Sequence, residues 1–228
     1  MPCGSGNDFA LTFKSDKSGK KIDTKARINA CVESIITNNI KFIDLIKIEV
    51  NTIKRCDADY SFSETTCINI ANIGLDARIV QNAAAYKKTF GSRAYLAAVY
   101  KSIAEHKNIR LKITADGVSY EGLYTLAAVC NGQYYGGGMR IAPNAEPDDG
   151  QMTVCLIDAI SRPKIMALFP SILIEKHTRL KFIHYINCKS LVIEAIDGEV
   201  LCVDGNLYNC AGTVTFNIMP RALRVFAP

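Results

Sequence analysis

Apolar and polar positions along this chain follow two different periods. Between residues 24 and 38, Ile28, Cys31, Val32 and Ile35 recur at three- and four-residue steps, which predicts an amphipathic helix. Leu96, Val99, Tyr100 and Ile103 repeat the step and predict a helix over Ser92–His106. Further helices are predicted over Asn7–Phe13, capped by Asn7 or Asp8, over Asp76–Lys88, and over Arg162–Ile174 with an interruption at Pro170. From Phe42 to Val50 the residues are β-branched and partly alternating, the pattern of a strand. Strands are also predicted over Cys67–Ile73, Leu123–Cys130, Thr153–Ile157 and Thr213–Met219, the last closed by Pro220. Asp116-Gly117, between Arg110–Thr114 and Val118–Tyr120, predicts a hairpin. Asp197-Gly198, between Leu191–Ile196 and Val200–Val203, predicts a second.

Many strands joined by Asp-Gly turns, with helices set between them, predict an α+β chain that is mainly an antiparallel β-sandwich. The first ~40 residues differ, because they read as loop, helix, basic loop and helix. They look like part of another layer.

Composition narrows the class. A chain of 228 residues with 49% hydrophobic and 21% charged residues has enough apolar surface to bury a core without disulfides. The net charge of +5 favours phosphate-rich partners and is too small to argue for nucleic acid. Nine cysteines, an odd number with no C-x-x-C pair, read as buried free thiols, which implies a reducing, cytoplasmic setting. The start shows no signal peptide, and the longest apolar run, Ile165–Ile174, is too short to span a bilayer. That run reads either as a core helix or as an apolar lip for lipid. Lys14–Arg27 reads either as a solvated loop or as a contact for anionic headgroups at the inner membrane face.

Four segments carry candidate chemistry. Gly4-Ser5-Gly6-Asn7-Asp8 precedes a helix, where bare backbone N–H groups suit phosphate oxygens and a carboxylate can hold a metal or orient a phosphate. Asn131-Gly132-Gln133-Tyr134-Tyr135-Gly136-Gly137-Gly138 allows close backbone approach. Within Ala142–Gly150, the adjacent carboxylates Asp148 and Asp149 on a tight turn read either as oxygen ligands for a hard cation such as Mg²⁺ or Ca²⁺ or as a plain turn. Asp204-Gly205-Asn206 is a turn ahead of the closing strand.

In this order and spacing, the set resembles the diacylglycerol kinase catalytic family of lipid kinases, which includes sphingosine kinases. Gly4–Ala10 stands for its Gly-Thr-Gly-Asn-Asp-Phe-Ala loop, with Ser5 in the Thr place. Gly74-Leu75-Asp76-Ala77, Asn131–Pro143, Lys176-His177, and the ending Pro220–Val225 match further motifs. The resemblance covers essentially the whole chain. It implies ATP-dependent phosphoryl transfer to a lipid hydroxyl, with Mg²⁺ as cofactor and a lipid acceptor or membrane surface as partner.

By position, the resemblance implies that Asp8 is catalytic and that Gly4, Ser5, Gly6 and Asn7 bind the nucleotide. It also implies that Glu146, Asp149 and Gln151 form a structural Mg²⁺ site, with Asp149 giving its side chain and the other two backbone oxygen. Two departures follow from the same comparison. The family's Gly-Gly-Asp-Gly-Thr ATP loop is not in these 228 residues, and Asn206 stands where the family has its general-base Glu. An amide cannot take a proton, and loss of a positioned base costs roughly 10²–10⁴-fold. Glu199 is not its substitute, because it sits by the Asp197-Gly198 turn.

The expected organisation is therefore residues 1–40 as the end of an ATP-binding domain and 41–228 as a β-sandwich lipid-kinase C-terminal domain. Such a chain is expected to be catalytically incomplete and to associate, with itself or with an ATP-binding half. A non-catalytic lipid- or partner-binding role, and a relative in the wider NAD kinase-like superfamily acting on a soluble substrate, remain as alternatives.

Overall fold

A computed structural model describes residues 7–13, 24–56, 61–90, 94–194, 199–210 and 212–227. In chain order these form α1 (Asp8–Thr12), α2 (Thr24–Ile36), β1 (Ile40–Arg55), β2 (Ser61–Cys67), β3 (Ile70–Gly74), α3 (Leu75–Phe90) and α4 (Ala94–Glu105). Then come β4 (Ile109–Ala115), β5 (Val118–Cys130), β6 (Tyr134–Tyr135), β7 (Met139–Arg140), β8 (Met152–Asp158) and α5 (Arg162–Leu173). After a 3₁₀ turn (Lys176–Arg179) follow β9 (Ile183–Cys188), β10 (Ser190–Glu194), β11 (Val200–Val203), β12 (Asn206–Cys210) and β13 (Val214–Phe226).

The described pairings are all antiparallel. The main sheet runs β3-β11-β12-β1-β13-β10-β4-β5-β8-β9, with β2 beside β1. It curls on itself, because β3 also pairs with β5. The inside of the curl is the main core, built from Ile46, Ile48, Leu111, Ile113, Leu191 and Phe216 among others.

Alternation on β5 and β8 builds a second core. Ala127, Val129, Val154 and Leu156 point into the curl. Leu126, Ala128, Cys130, Cys155 and Ile157 point the other way, against Leu75, Ile79, Ile103, Ile165, Leu168 and Ile172 of α3, α4 and α5. A strand covered on both faces is apolar throughout, which is why 126–130 reads as an unbroken apolar run.

The expected α+β, mainly antiparallel sandwich is the fold observed. Several local expectations change. Cys67–Ile73 is two strands, split at Ile68-Asn69, whose N–H groups bond to Asp204 instead of a neighbouring strand. Asp197-Gly198 lies outside the described residues, but β10 and β11 are not hairpin partners: β10 pairs with β4 and β13, β11 with β3 and β12. The second Asp-Gly hairpin is at Asp204-Gly205, between β11 and β12. Both residues there have positive φ (48° and 84°), as do Asp116 and Gly117 (44° and 86°), the geometry that a two-residue turn between twisted strands demands.

Pro170 does not interrupt α5, which runs from Arg162 to Leu173 with the proline inside its last turn and exposed. β13 also continues past Pro220. A shift of register at Ile43/Leu45 accommodates the proline, Arg221 takes φ 52°, and its N–H bonds to Asp44 Oδ1 at 2.7 Å. Cys67, Cys130, Cys155, Cys188, Cys202 and Cys210 are buried thiols outside any disulfide, as expected, but Cys31 on α2 is only part-buried and Cys56, just past β1, is exposed. Among the described residues, no helix is long and apolar enough to cross a membrane.

Candidate functional site

The loop between β5 and β8 brings α1 to the sheet. Gly132 makes the approach possible: a Cβ there would run into Asn69 Oδ1, with Thr12 Oγ1 at 3.2 Å and Phe9 Cδ2 at 3.3 Å. Thr12 Oγ1 accepts a hydrogen bond from Gln133 N at 3.3 Å. Gly136, Gly137 and Gly138 all have positive φ (60°, 87° and 104°). That backbone aims two consecutive N–H groups at one carboxylate, Asp8, at 3.0 Å from Gly137 and 2.7 Å from Gly138. Asn7, the residue before α1, has φ 55° and gives no side-chain cap; Asp8 is spent on the glycines instead. α1 and the glycine loop after β5, 121 or more residues apart in sequence, are therefore joined. Gly4, Ser5 and Gly6 lie outside the described residues.

Beside this junction is a cavity of about 400 Å³. Phe9, Ile70, Ile79, Val80, Met139 and Phe169 supply apolar wall. Three carboxylates reach it: Asp8, Asp76 and Asp204. The Asp204 carboxylate accepts from Ile68 N (2.7 Å), Asn69 N (2.9 Å), Ile70 N (3.1 Å) and Cys67 Sγ (3.3 Å), so it holds the break between β2 and β3. Asp76, 5% exposed, accepts from Tyr135 Oη at 2.7 Å. Burial pushes its carboxyl up from 3.8 to about 6, against the opposing pull of the Tyr135 hydroxyl.

Sequence reasoning passed over Asp76 as a site residue, although a carboxylate amid the apolar stretch Ile70–Ile79 was the available signal. Asp76 also sets a pH dependence. The unfolded chain titrates near 3.8 and the folded protein near 6, so the folded state binds this proton more tightly. The resulting stability is complete below 3.8 and gone above about 6. Asp76→Asn is therefore expected to be more stable than wild type at about pH 8, by at most about 3 kcal/mol, with the gap closing below pH ~4. Urea unfolding at both pH values measures it.

Asn206 is exposed at the start of β12, one residue beyond Gly205, which lines the cavity. Glu199 makes a bidentate pair with Arg78 Nη2 at 2.9 and 3.0 Å, tying β11 to α3, the structural role expected for it. His177 is buried against Ile141 O at 3.3 Å and away from the cavity lining, and burial pushes its pKa down.

The acidic turn is a separate feature. None of Glu146, Asp149 and Gln151 lines the cavity. Buried Asp44 anchors the turn: its N–H donates to Pro147 O at 2.6 Å and its carboxylate accepts from Gly150 N at 2.7 Å. Asp149 accepts from Gln151 N at 2.9 Å. Burial raises the Asp149 carboxyl, and Asp44, Glu146 and Asp148 add repulsion that a cation would relieve. The donors are oxygen only, which fits Mg²⁺ in type. Among the described residues, no group of three or more His, Cys, Asp or Glu side chains is placed to hold a metal, so ligation there would rest on backbone oxygens beside Asp149.

Residues 69–227 match the family described as the YegS C-terminal NAD kinase beta sandwich-like domain. The chain belongs to this family. It is 25% identical over 229 residues to a diacylglycerol kinase of Mycobacterium tuberculosis, covering 100% of this chain and 68% of that one. It is 26% identical over 229 residues to a probable YegS-like lipid kinase of Shewanella frigidimarina, covering 66% of that protein. Among solved structures, a putative diacylglycerol kinase from Bacillus anthracis superposes with a TM-score of 0.67 at 21% identity, over 99% of this chain and 67% of that one. The chain thus spans about two thirds of the length of these relatives.

Proposed function

We propose that these residues form the lipid-receiving part of an ATP-dependent lipid kinase, which transfers a phosphoryl group to a lipid hydroxyl such as that of diacylglycerol. The observation that carries this reading is the cavity: apolar walls suited to acyl chain end on carboxylates, one of them held by the glycine loop. Phosphoryl transfer needs positioning and charge stabilisation more than covalent help from the protein. Here the backbone of Gly137 and Gly138 orients Asp8 on the cavity wall, and the apolar walls keep water from the acceptor. Mg²⁺, when bound, supplies counter-charge for the phosphates, and a second Mg²⁺ at Asp149 with backbone oxygen of Glu146 and Gln151 would rigidify the acidic turn.

The Gly-Gly-Asp-Gly-Thr sequence is not among the 228 residues. We therefore expect these residues alone to bind acceptor lipid and leave ATP unreacted. Val32, Ile35, Ile36, Phe42, Leu223 and Phe226 are exposed on α2 and on the ends of β1 and β13. That surface supports docking of a further body, an ATP-binding half or a second copy. Asn206 favours a second reading, in which the chain holds lipid without chemistry.

Incubation with γ-labelled ATP, Mg²⁺ and dioctanoylglycerol in mixed micelles tests the proposal, alongside calorimetric titration of the lipid. Lipid binding without labelled product is expected. Robust turnover would overturn the incompleteness; absence of binding would overturn the lipid reading.

A further inference from the structure

Three carboxylates line the cavity, and their partners set them apart. Asp8 is engaged by two backbone N–H groups and Asp204 by three, plus a thiol. These groups are committed to holding loops. Among the described residues, the carboxylate of Asp76 carries only the hydrogen bond from Tyr135 Oη. It is more than nine-tenths buried, on the cavity wall, at the start of α3. The other titratable groups that feel its charge are the thiols of Cys130 on β5, Cys155 on β8 and Cys202 on β11. Burial pushes all three up, Cys155 and Cys202 to about 12, so they stay neutral at working pH and Asp76 is the group that titrates.

We infer that Asp76, steered by Tyr135, receives the acceptor hydroxyl of the lipid and takes its proton on transfer. This rests on the lipid-acceptor reading above. The hydroxyl of a neutral lipid donates its hydrogen bond to the Asp76 carboxylate. As the new O–P bond forms, the bond between the γ-phosphorus and the bridging oxygen of a nucleoside triphosphate breaks. That electron pair leaves on the nucleoside diphosphate, and the hydroxyl proton moves to Asp76. A carboxyl that titrates near 6 suits the task, since it is ionised at neutral pH yet more basic than an ordinary aspartate. The geometry also answers the difficulty posed by Asn206. The proton acceptor stands on α3, on the cavity wall, whereas Asn206 is exposed and outside the lining, so an amide at 206 does not remove it.

The test is a binding comparison that needs no turnover. The 228-residue chain is titrated calorimetrically with 1,2-dioctanoylglycerol and with its counterpart lacking the free hydroxyl, 1,2-dioctanoyloxypropane. Wild type should prefer the hydroxyl lipid by about tenfold at pH 8 and lose most of that preference below pH ~5, as the carboxylate protonates. Asp76→Asn, checked by circular dichroism, should bind both lipids within about threefold of each other. Tyr135→Phe leaves Asp76 in place but removes the donor that holds its titration down, so the onset of preference should move to higher pH. Equal discrimination by wild type and Asp76→Asn would overturn the assignment and leave the lipid reading standing. A preference in Tyr135→Phe that starts at the wild-type pH would remove Tyr135 from it. No binding of either lipid by wild type would sink both.

Discussion

Phe216→Ala should lower the unfolding free energy by about 3–5 kcal/mol. Phe216 on β13 is fully buried and among the bulkiest side chains of the core. It faces the inside of the curled sheet, paired with Ile48 on β1 and Leu191 on β10. These strands are held in register on both sides by ladder hydrogen bonds, so they cannot collapse into the space a ring vacates. The full cavity cost is then added to the lost transfer energy. A urea midpoint shift without a change in slope is the expected signature. A shift worth less than about 1 kcal/mol would mean that the curl can close on itself.

Asp44→Ala should cost a similar amount, about 3–5 kcal/mol, for a different reason. Asp44 is a fully buried carboxylate. It bonds Arg221 N at the bulge after Pro220 and Gly150 N in the acidic turn, both at 2.7 Å. Removing it orphans the two backbone donors that its carboxyl oxygens accept from. Asp44→Asn keeps one acceptor oxygen and should lose less. The variant also separates function from stability. The Asp44→Ala turn keeps the backbone bond from residue 44 N–H to Pro147 O but loses the anchor at Gly150 N, so it should become more open to limited proteolysis at 146–150, while dioctanoylglycerol binding in the cavity changes little. Cleavage unaltered from wild type would show that the turn has other anchors.

Much of this arrangement was legible in the chain. Alternation over Phe42–Val50 and the apolar run ending at Cys130 mark strands, because a residue facing a core must be apolar whatever forms the rest of that core. The glycine loops were visible because only glycine tolerates positive φ without strain, so clusters of it mark bare backbone. The failures have physical causes. Asp197-Gly198 and Asp204-Gly205 have the same turn chemistry, and nothing local says which pair of strands will be neighbours. Pro220 ends a strand by propensity, but Asp44, 176 positions earlier, supplies the acceptor that lets β13 bulge and go on. Asn7 or Asp8 as a helix cap was the local answer; the N–H groups of Gly137 and Gly138 outbid it for Asp8.

The site divides along the same line. Residue types and their spacing determined the fold class, the family, and the loops at which chemistry is concentrated, since each depends on side-chain size, backbone freedom or charge at neighbouring positions. Only the tertiary structure decided which loops meet, which carboxylates are held by backbone donors, and that Asp76 is the buried one facing a cavity. Desolvation and long-range hydrogen bonding set those properties, and both are created by residues far apart in sequence that come together only when the sheet closes.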